Sequence, residues 1–435
     1  MKKTLTISLL SAILYLLSGW NGIKAQEPLD FSAYYLNPVL TPGGPGSYDD
    51  AFLTMPNVLW NDGMFYLFYS GNLDNGGICL ATSPDGYNFE KFPGNPVFTR
   101  SEIGFDSYYV TQGIVLEMGS QWVMYYNGRD VPGYGPGQFV GQATSSSLTG
   151  IWERMADPVL TSGSPGEWDE GFITPNAVLP LDTGGYIMFY SASTDFFTGF
   201  REIGMATSQD GITWTKYNDP NTSLPPYAES DPVLNEGTTG QWDEYAAWLC
   251  SVIHIHGYYE MYYSGYSPAS DWNIGYAWSN DGITWEKWPE NPVYTIQDDP
   301  YAFNTSSIVE TPSILVYNET VLMYYDYGTV VNSIGVATAD VWTGAGESTN
   351  SDFRMTIYPN PVDQSTTFSY TLEEPGHVTI QIFNSFGRLV DEPVTNFQPT
   401  GKWQVFWNAE AYPAGIYFYR IQAGNEVGSG KIIKW

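Results

Sequence analysis

The sequence predicts an all-β protein, in which a five-bladed β-propeller is followed by a small immunoglobulin-like β-sandwich. The composition supports this prediction, because 17% of the residues are aromatic and only 14% are charged, which favours short strands over helices. An internal repeat of roughly 60 residues supports it further, since such periods are typical of repeat architectures. Each repeat carries an Asn-Pro-Val or Asp-Pro-Val step, and these steps begin at Asn37, Asn95, Asp157, Asp231 and Asn291.

Each repeat contains four strand patterns joined by turns, which is the third observation. In the first repeat a buried strand (NVLW) ends at the turn Asn61-Asp62-Gly63, an aromatic strand (FYLFYS) follows, and ICLATS is the third strand. A Ser-x-Asp-Gly turn then leads into an aromatic fourth strand, and the clearest copies of this turn begin at Ser83, Ser208 and Ser279. Consecutive four-stranded meanders predict the blades of a propeller.

The fifth repeat lacks its last hairpin, because ATADVWTG passes directly into a Gly/Ser/Thr-rich linker. At the other end of the chain, residues 30–36 precede the first Asn-Pro-Val step as a fourth strand would. We therefore predict that residues 30–36 complete the fifth blade, which closes the ring and removes an exposed sheet edge.

The remaining segments divide the chain. Residues 1–25 have two early lysines, an apolar run and a small residue before Gln26, which predicts a secretory signal peptide. The propeller is predicted over 26–344, a linker over 345–354 and the sandwich over 355–435. No other stretch has the length to cross a membrane as a helix, so an integral membrane protein is not expected. Cys79 and Cys250 lie in apolar strands and are expected to be buried free thiols.

The charge is concentrated in the propeller. Residues 26–351 hold 7 Lys and Arg against 39 Asp and Glu, a net charge of −32, whereas residues 352–435 have a net charge of −2. So acidic a surface repels nucleic acid and anionic polymers. Neutral carbohydrates, cations and basic proteins remain as partners.

The strand order indicates which face of the propeller carries function. Because strands alternate in direction, the loops between second and third strands share one face with the loops that connect the blades. Those loops are long and varied, as in RDVPGYGPGQ from Arg129 and GYSPASDWN from Gly265. Functional residues are common on loops held by a rigid scaffold, so we expect the site on this face.

The C-terminal module contains TIYPNPV, IFNSFGR, AGIYFYRI and a lysine-containing end, GKIIKW. These residues closely resemble the C-terminal sorting domain of the type IX secretion system. The resemblance implies that the type IX secretion machinery is a partner and that the protein is secreted or displayed on the outer cell surface. The alternative interpretation is an accessory carbohydrate-binding sandwich.

The propeller resembles the five-bladed clan of arabinanases, invertases and levansucrases. The Asn/Asp-Pro-Val steps, the Ser-x-Asp-Gly turns and the aromatic second strands carry this resemblance across residues 30–344. It implies a glycoside hydrolase-like enzyme that acts on neutral poly- or oligosaccharide through paired carboxylates. In the clan an acid stands on the inner strand, but the aligned positions here are Met55, Gln112 and Pro175. Therefore the alternative is a non-catalytic surface glycan-binding or adhesive propeller.

The candidate site residues come from acids and aromatic residues near this face. Asp49, Asp106, Asp169 and Asp243 recur at one position, which favours a structural role in accepting backbone N–H groups. Glu310 breaks the repeat, because the other repeats have Thr or Trp there. The predicted catalytic residues are Asp50, Asp106, Glu170 and Glu310. The predicted substrate-binding residues are Arg129, Arg201, Glu244, Trp248 and Asp326.

No metal site is predicted. His254 and His256 alternate on one strand without an evident third ligand, and they fall on the face with the short turns. No cofactor is expected, although the acidic loops leave room for a structural cation such as calcium.

Overall fold

The computed structural model describes residues 27–340 and 355–434, with short gaps at 75, 133–136, 182, 196–198, 256–257, 302–307, 319, 329–331, 373, 385–387 and 424–425. The predicted signal peptide and the predicted linker lie outside the described residues. Within them, no helix is both long and apolar enough to span a bilayer.

The strands of the first region form five antiparallel sheets. The first blade is built from β2 (Thr54–Asn61), β3 (Met64–Ser70), β4 (Ile78–Ser83) and β5 (Glu90–Lys91). The second blade has β6 (Tyr109–Met118), β7 (Gln121–Arg129), β8 (Gln138–Ser145), β9 (Glu153–Arg154) and β10 (Leu160–Thr161). The third has β11 (Phe172–Pro180), β12 (Tyr186–Ser193), β13 (Glu202–Ser208), β14 (Thr215–Lys216) and β15 (Pro232–Leu234).

The last two sheets follow the same order. The fourth blade has β16 (Ala246–Ile255), β17 (Tyr258–Ser267), β18 (Asp271–Ser279) and β19 (Trp285–Lys287). A 3₁₀ turn, Ile296–Asp298, precedes the fifth, which has β20 (Glu310–Tyr317), β21 (Thr320–Tyr327) and β22 (Ser333–Asp340). The first strands β2, β6, β11, β16 and β20 contact one another in cyclic order, which arranges the five sheets around one axis.

The chain closes this ring as the sequence predicts. Strand β1 (Ser32–Ala33) pairs antiparallel with β22, where Ser32 lies opposite Thr338. The Asn37 side chain extends the junction, because its amide donates to Asp299 (2.9 Å) and its carbonyl accepts the Val336 N–H (2.9 Å). An otherwise exposed edge of the fifth blade is thereby paired.

Each first strand contains an irregularity near the axis that links neighbouring blades. At Met55, Gln112, Leu249 and Thr311 the backbone has positive φ, and the register shifts at the same place. The freed N–H then crosses to the preceding blade: Gln112 donates to Ser70 (2.8 Å) and Thr311 donates to Ser264 (2.8 Å). Pro175 has no N–H to donate, so the third blade departs from this pattern. In the first blade the acceptor is a carboxylate, Asp326, rather than a hydroxyl.

The recurring aspartates lie in the connections between blades and have structural roles. Most of their contacts are with side chains rather than with the predicted backbone N–H groups. Asp106 accepts the Tyr126 hydroxyl (2.8 Å) and forms an ion pair with Arg154. Asp243 does the same with Tyr263 (3.0 Å) and Lys287 (2.6 Å). Asp49 and Asp169 are ion-paired with Lys91 and Lys216. The expected backbone bond is present at Asp49, which accepts the Gly43 N–H (3.1 Å). The sequence does not predict the ion pairs that these aspartates form with a Lys or Arg of the fourth strands.

The Ser-x-Asp-Gly turns are stabilised by hydrogen bonds between the aspartate side chain and the backbone of the same turn. Asp210 accepts two successive backbone N–H groups, from Ile212 and Thr213 (both 2.8 Å). These backbone bonds lower the pKa of Asp210 to about 2. Its Gly211 carbonyl accepts the Tyr125 hydroxyl of the neighbouring blade (2.6 Å). These turns therefore join blades as well as strands, which accounts for their repetition.

The C-terminal module is a two-sheet sandwich. One sheet contains β23 (Met355–Tyr358), β24 (Ser365–Leu372) and β27 (Gly401–Asn408); the other contains β26 (Leu389–Gln398), β25 (Gly376–Asn384), β28 (Gly415–Ala423) and β29 (Glu426–Lys434). Side chains from both sheets share one core, including Phe368, Ile380 and Trp407. The Trp407 indole donates to Asp391 of the facing sheet (2.9 Å). Both cysteines of the chain are buried free thiols in the propeller, as predicted.

Candidate functional site

The axial end of the fifth blade brings two carboxyl groups together. Glu310 begins β20 and lies directly opposite Asp326 of β21. Opposed residues on an antiparallel pair project to the same face with Cβ atoms about 4.5–5.5 Å apart. Glu310 stands next to the positive-φ residue Thr311, so its side chain emerges where the strand bends at the axis. Both positions depart from the repeat, which elsewhere has Thr or Trp and Ser or Asn.

Asp326 is held in place more tightly than Glu310. It is fully buried, and its Oδ2 accepts the Met55 N–H of the first blade (3.0 Å). Its Oδ1 is also buried and accepts no hydrogen bond from the described residues, although Thr311 and Asn332 lie beside it. A buried carboxyl oxygen without a donor disfavours the ionised form. Burial, reinforced by the charge of Glu310, thus raises the pKa of Asp326 well above its usual range.

Glu310 faces one positive and one further negative charge. Burial raises its pKa to about 7, the guanidinium of Arg201 opposes this shift, and Asp271 adds to it. A carboxyl group with such a pKa carries a proton for part of the time at neutral pH. It can therefore donate that proton to a departing oxygen, which an ordinary exposed glutamate at this pH cannot do efficiently.

Arg201 connects the third blade to the aromatic wall of the site. Its guanidinium carbon lies 5.4 Å from the ring centroid of Trp248 and 5.4 Å from that of Trp272. Its backbone carbonyl accepts the Ala247 N–H (2.9 Å), which fixes it against the fourth blade. Trp272 in turn stacks on Tyr266, with centroids 5.0 Å apart. Flat aromatic rings beside carboxyl groups suit the apolar faces and hydroxyl groups of sugars.

We call the set Arg201, Trp248, Asp271, Trp272, Glu310 and Asp326 the axial site. Four of its members, Arg201, Trp248, Glu310 and Asp326, are predicted from the sequence. Asp271 is not predicted, because in the sequence it resembles any other acidic loop residue. Only the fold brings it near Glu310. Its backbone has positive φ, a strained conformation for a residue other than glycine.

The other predicted residues lie outside the axial site. Three of them have equivalent positions and accept a backbone N–H from a positive-φ glycine four residues earlier. Asp50 accepts from Gly46, Glu170 from Gly166 and Glu244 from Gly240 (2.6 Å). Asn72 also donates to Asp50 (2.9 Å), and this bond is the main cause of the lowered pKa of Asp50.

Two more predicted residues have local partners. Asp106 is ion-paired with Arg154, as described above. Arg129 is buried at the end of β7, and its Nε donates to the Val131 carbonyl (2.7 Å). The structure therefore gives Asp50, Asp106 and Glu170 contacts that stabilise loops, and their catalytic role stays a prediction. Among the described residues, no group of three or more His, Cys, Asp or Glu side chains has the geometry to hold a metal ion.

The C-terminal module matches a known family. Residues 356–435 match the secretion system C-terminal sorting domain. This confirms the resemblance seen in the sequence and indicates export by type IX secretion, to the cell surface or the medium. The chain is also 23% identical over 301 residues to an uncharacterized protein of Mycobacterium tuberculosis, covering 67% of this chain and 93% of that protein.

Solved structures with a similar fold include glycoside hydrolases and a phosphorylase. One is a glycoside hydrolase (TM-score 0.56, 16% identity, covering 77% of this chain and 96% of the other). Another is a thermostable family-43 glycoside hydrolase (TM-score 0.50, 18% identity, 68% and 92% covered). A third is a β-1,2-mannobiose phosphorylase from Listeria innocua in complex with β-1,2-mannobiose (TM-score 0.54, 14% identity, 74% and 100% covered). The glycoside hydrolase-like propeller fold is thereby confirmed.

Proposed function

We propose that this exported propeller cleaves glycosidic bonds in a neutral poly- or oligosaccharide at the axial site. The observation that carries the proposal is Glu310, an acid that breaks the repeat and lies between Asp326, Asp271 and Arg201. Its raised pKa of about 7 suits a general acid at neutral pH. The fold shared with glycoside hydrolases supports this choice of chemistry without fixing it.

Each member of the axial site has a proposed role. Glu310 protonates the leaving glycosidic oxygen, and Asp271 is the second carboxylate, which activates water or stabilises the positive charge that develops on the sugar. Asp326 is a positioning residue, since it is buried behind Glu310 and bonded to the first blade. Trp248 and Trp272 stack on the sugar, and Arg201 keeps Glu310 oriented between them.

The second candidate function is non-catalytic glycan binding. It is favoured by Met55, Gln112 and Pro175, which stand where the resembling clan has inner-strand acids. In this case the same aromatic and polar groups would hold a sugar without cleaving it.

The experiment incubates the purified full chain with neutral glycans, including arabinans, fructans and mannans, and follows released sugars by chromatography. We expect Glu310→Gln to lower hydrolysis by about 10²–10⁴-fold, the range typical of a lost general acid, with sugar binding retained. Asp271→Asn serves as the test of the second carboxylate. Hydrolysis that survives Glu310→Gln unchanged would refute the assignment, whereas binding without any cleavage by the wild type would favour the second candidate.

A further inference from the structure

Two further glutamates break the repeat, and both belong to the third blade. The residue before the isoleucine or valine of each third strand is Gly77, Phe139, Glu202, Asn273 or Ser333. The third residue after each Pro-Val step likewise varies, and only the third blade places an acid there, Glu236. The fold brings the two together, because Ile203 of β13 pairs with Leu234 of β15.

Glu202 is buried and Glu236 is partly buried, and neither forms an ion pair with a described Lys or Arg residue. Glu202 is 6% exposed, and burial together with the facing Glu236 carboxyl raises its pKa to about 8. The Oε2 atom of Glu236 is buried and accepts no hydrogen bond from any described residue. Lys287 is the nearby cation, but its ammonium group lies 2.6 Å from Asp243 and is paired there. Such an arrangement costs stability unless a ligand uses it.

One member of the pair, Glu236, lines a groove between the third and fourth blades. The groove has a volume of about 460 Å³, and Glu236 forms part of its wall. Trp242, Trp285 and Trp288 also line it, with Asn291 and Gln241 as further polar groups. An aromatic wall with a few convergent polar atoms is typical of small-molecule and carbohydrate sites.

The groove is linked to the axial site through Glu236, which lines the groove, its neighbour Glu202, and Arg201. Arg201 lies against Trp248 and Trp272, whereas the next residue, Glu202, belongs to the acid pair. Successive side chains of an extended strand point to opposite sides, so the start of β13 serves both places. The Ala247 N–H bond to the Arg201 carbonyl ties this point to the fourth blade, whose outer strand carries Trp285.

We propose that the groove between blades three and four is a second contact site for a neutral glycan chain, and that it extends the axial site towards long substrates. This proposal rests on the proposed function. The Glu236 carboxyl group in the groove wall can accept hydrogen bonds from sugar hydroxyls, and indole rings suit the apolar faces of sugars. The net charge of −32 on residues 26–351 disfavours anionic chains.

The test compares chain lengths in the full-length protein. Affinities for arabinan, fructan and mannan oligosaccharides of two to eight units are measured by calorimetry for the wild type, Glu236→Gln and Trp288→Ala. We expect at least a fivefold loss of affinity for the longest oligomers that bind, and less than a twofold change for disaccharides. Phe92→Ala is the matched control, because Phe92 occupies the position of Trp288 in the first blade (EKFP against EKWP) and lines a different groove, between the first and second blades.

The outcomes separate this proposal from the proposed function. The proposed groove site would be refuted if both groove variants unfolded at the wild-type temperature and bound long oligomers with unchanged affinity. Glu236→Gln is nearly isosteric and relieves charge repulsion, so it remains informative if Trp288→Ala fails to fold. A wild type that binds long oligomers through the groove but cleaves none would refute catalysis and leave the groove intact. Equal losses for short and long ligands would also contradict the groove.

Discussion

Two sets of acids in the propeller share a residue type and differ in what faces them. Asp49, Asp106, Asp169 and Asp243 each face a Lys or Arg from the fourth strand of their own blade. Glu310 and Asp326 face one another, and the nearest cation, Arg201, comes from a different blade. Each acid of the first set is balanced within its own repeat. The second set is left with excess negative charge, and such an excess is typical of functional sites.

The fifth blade shows why this difference arises. Lys91, Arg154, Lys216 and Lys287 pair across the sheet with alanines of the third strands. In the fifth blade Ala33 occupies that position, opposite Ala337. The aspartate there, Asp299, accepts from Asn37 and Tyr325 instead. The ring closure thus places an alanine, Ala33, where the other blades have the paired Lys or Arg, and the same blade carries the unbalanced axial acids.

The largest effect on stability is expected from the balanced set. Asp49→Ala removes the partner of Lys91 and leaves the buried Tyr69 hydroxyl without its acceptor (3.0 Å). We expect the free energy of unfolding to fall by about 3 kcal/mol, measured by urea denaturation of the full chain. The adjacent Asp50→Ala is the control and should cost much less, because Asp50 is partly exposed. Equal losses at the two positions would remove the distinction between paired and loop-capping acids.

The unbalanced set, Glu310 and Asp326, predicts that the free energy of unfolding depends on pH. The pKa of Glu310 rises from an ordinary 4.5 to about 7 in the folded protein, with Arg201, Asp271 and Asp326 facing it. The folded state therefore binds the proton more tightly than the unfolded chain, so this contribution is present below pH 4.5 and is lost as pH rises through 7. The loss is at most about 3 kcal/mol.

Denaturation curves between pH 4.5 and 8 measure this effect by comparing the wild type with Glu310→Gln. The wild type should lose stability more steeply with rising pH than the variant, because Glu202 contributes to both proteins alike. Parallel curves would show that Glu310 titrates normally and would weaken its assignment as the general acid.

A smaller gain is expected at Asp326. Asp326→Asn keeps an oxygen for the Met55 N–H and removes a buried charge that faces Glu310. We expect a gain of about 1 kcal/mol at pH 8 that becomes smaller as the pH falls and vanishes only near pH 4, where the unfolded chain also protonates this position. A loss at pH 8 would mean that the charge of Asp326 is compensated and that the pair belongs with the balanced set.

The smallest effect concerns the acids that hold loops. If Asp50 and Glu170 act only through Gly46 and Gly166, then Asp50→Asn and Glu170→Gln should change hydrolysis by no more than about threefold, or roughly 0.6 kcal/mol in the barrier. Initial rates on the substrate found for the wild type measure this. A loss of more than 100-fold in either variant would restore the sequence-based prediction that these residues are catalytic.

Much of the fold could be read from the chain, because each propeller blade is built from local contacts. The turn at Ser208 binds its own backbone, the Pro-Val steps recur at the blade junctions, and residues 30–36 were identified as the missing strand from their place in the repeat. The sorting domain could also be predicted from the sequence, since each of its motifs is a contiguous run of residues. The candidate site was less so: Glu310 stood out as an exception, but Asp271, Glu202 and Glu236 did not.

By itself the sequence determined that this is an exported chain of repeated sheets with a sorting domain, since period, turn chemistry and contiguous motifs are properties of neighbouring residues. Only the tertiary structure decided which acids are balanced. Asp106 and Glu310 look alike in the sequence, and the difference lies in Arg154 being 48 residues away and Arg201 more than a hundred. The pKa of a carboxyl group depends on burial and on charges within a few ångströms, and those distances exist only after the ring has closed.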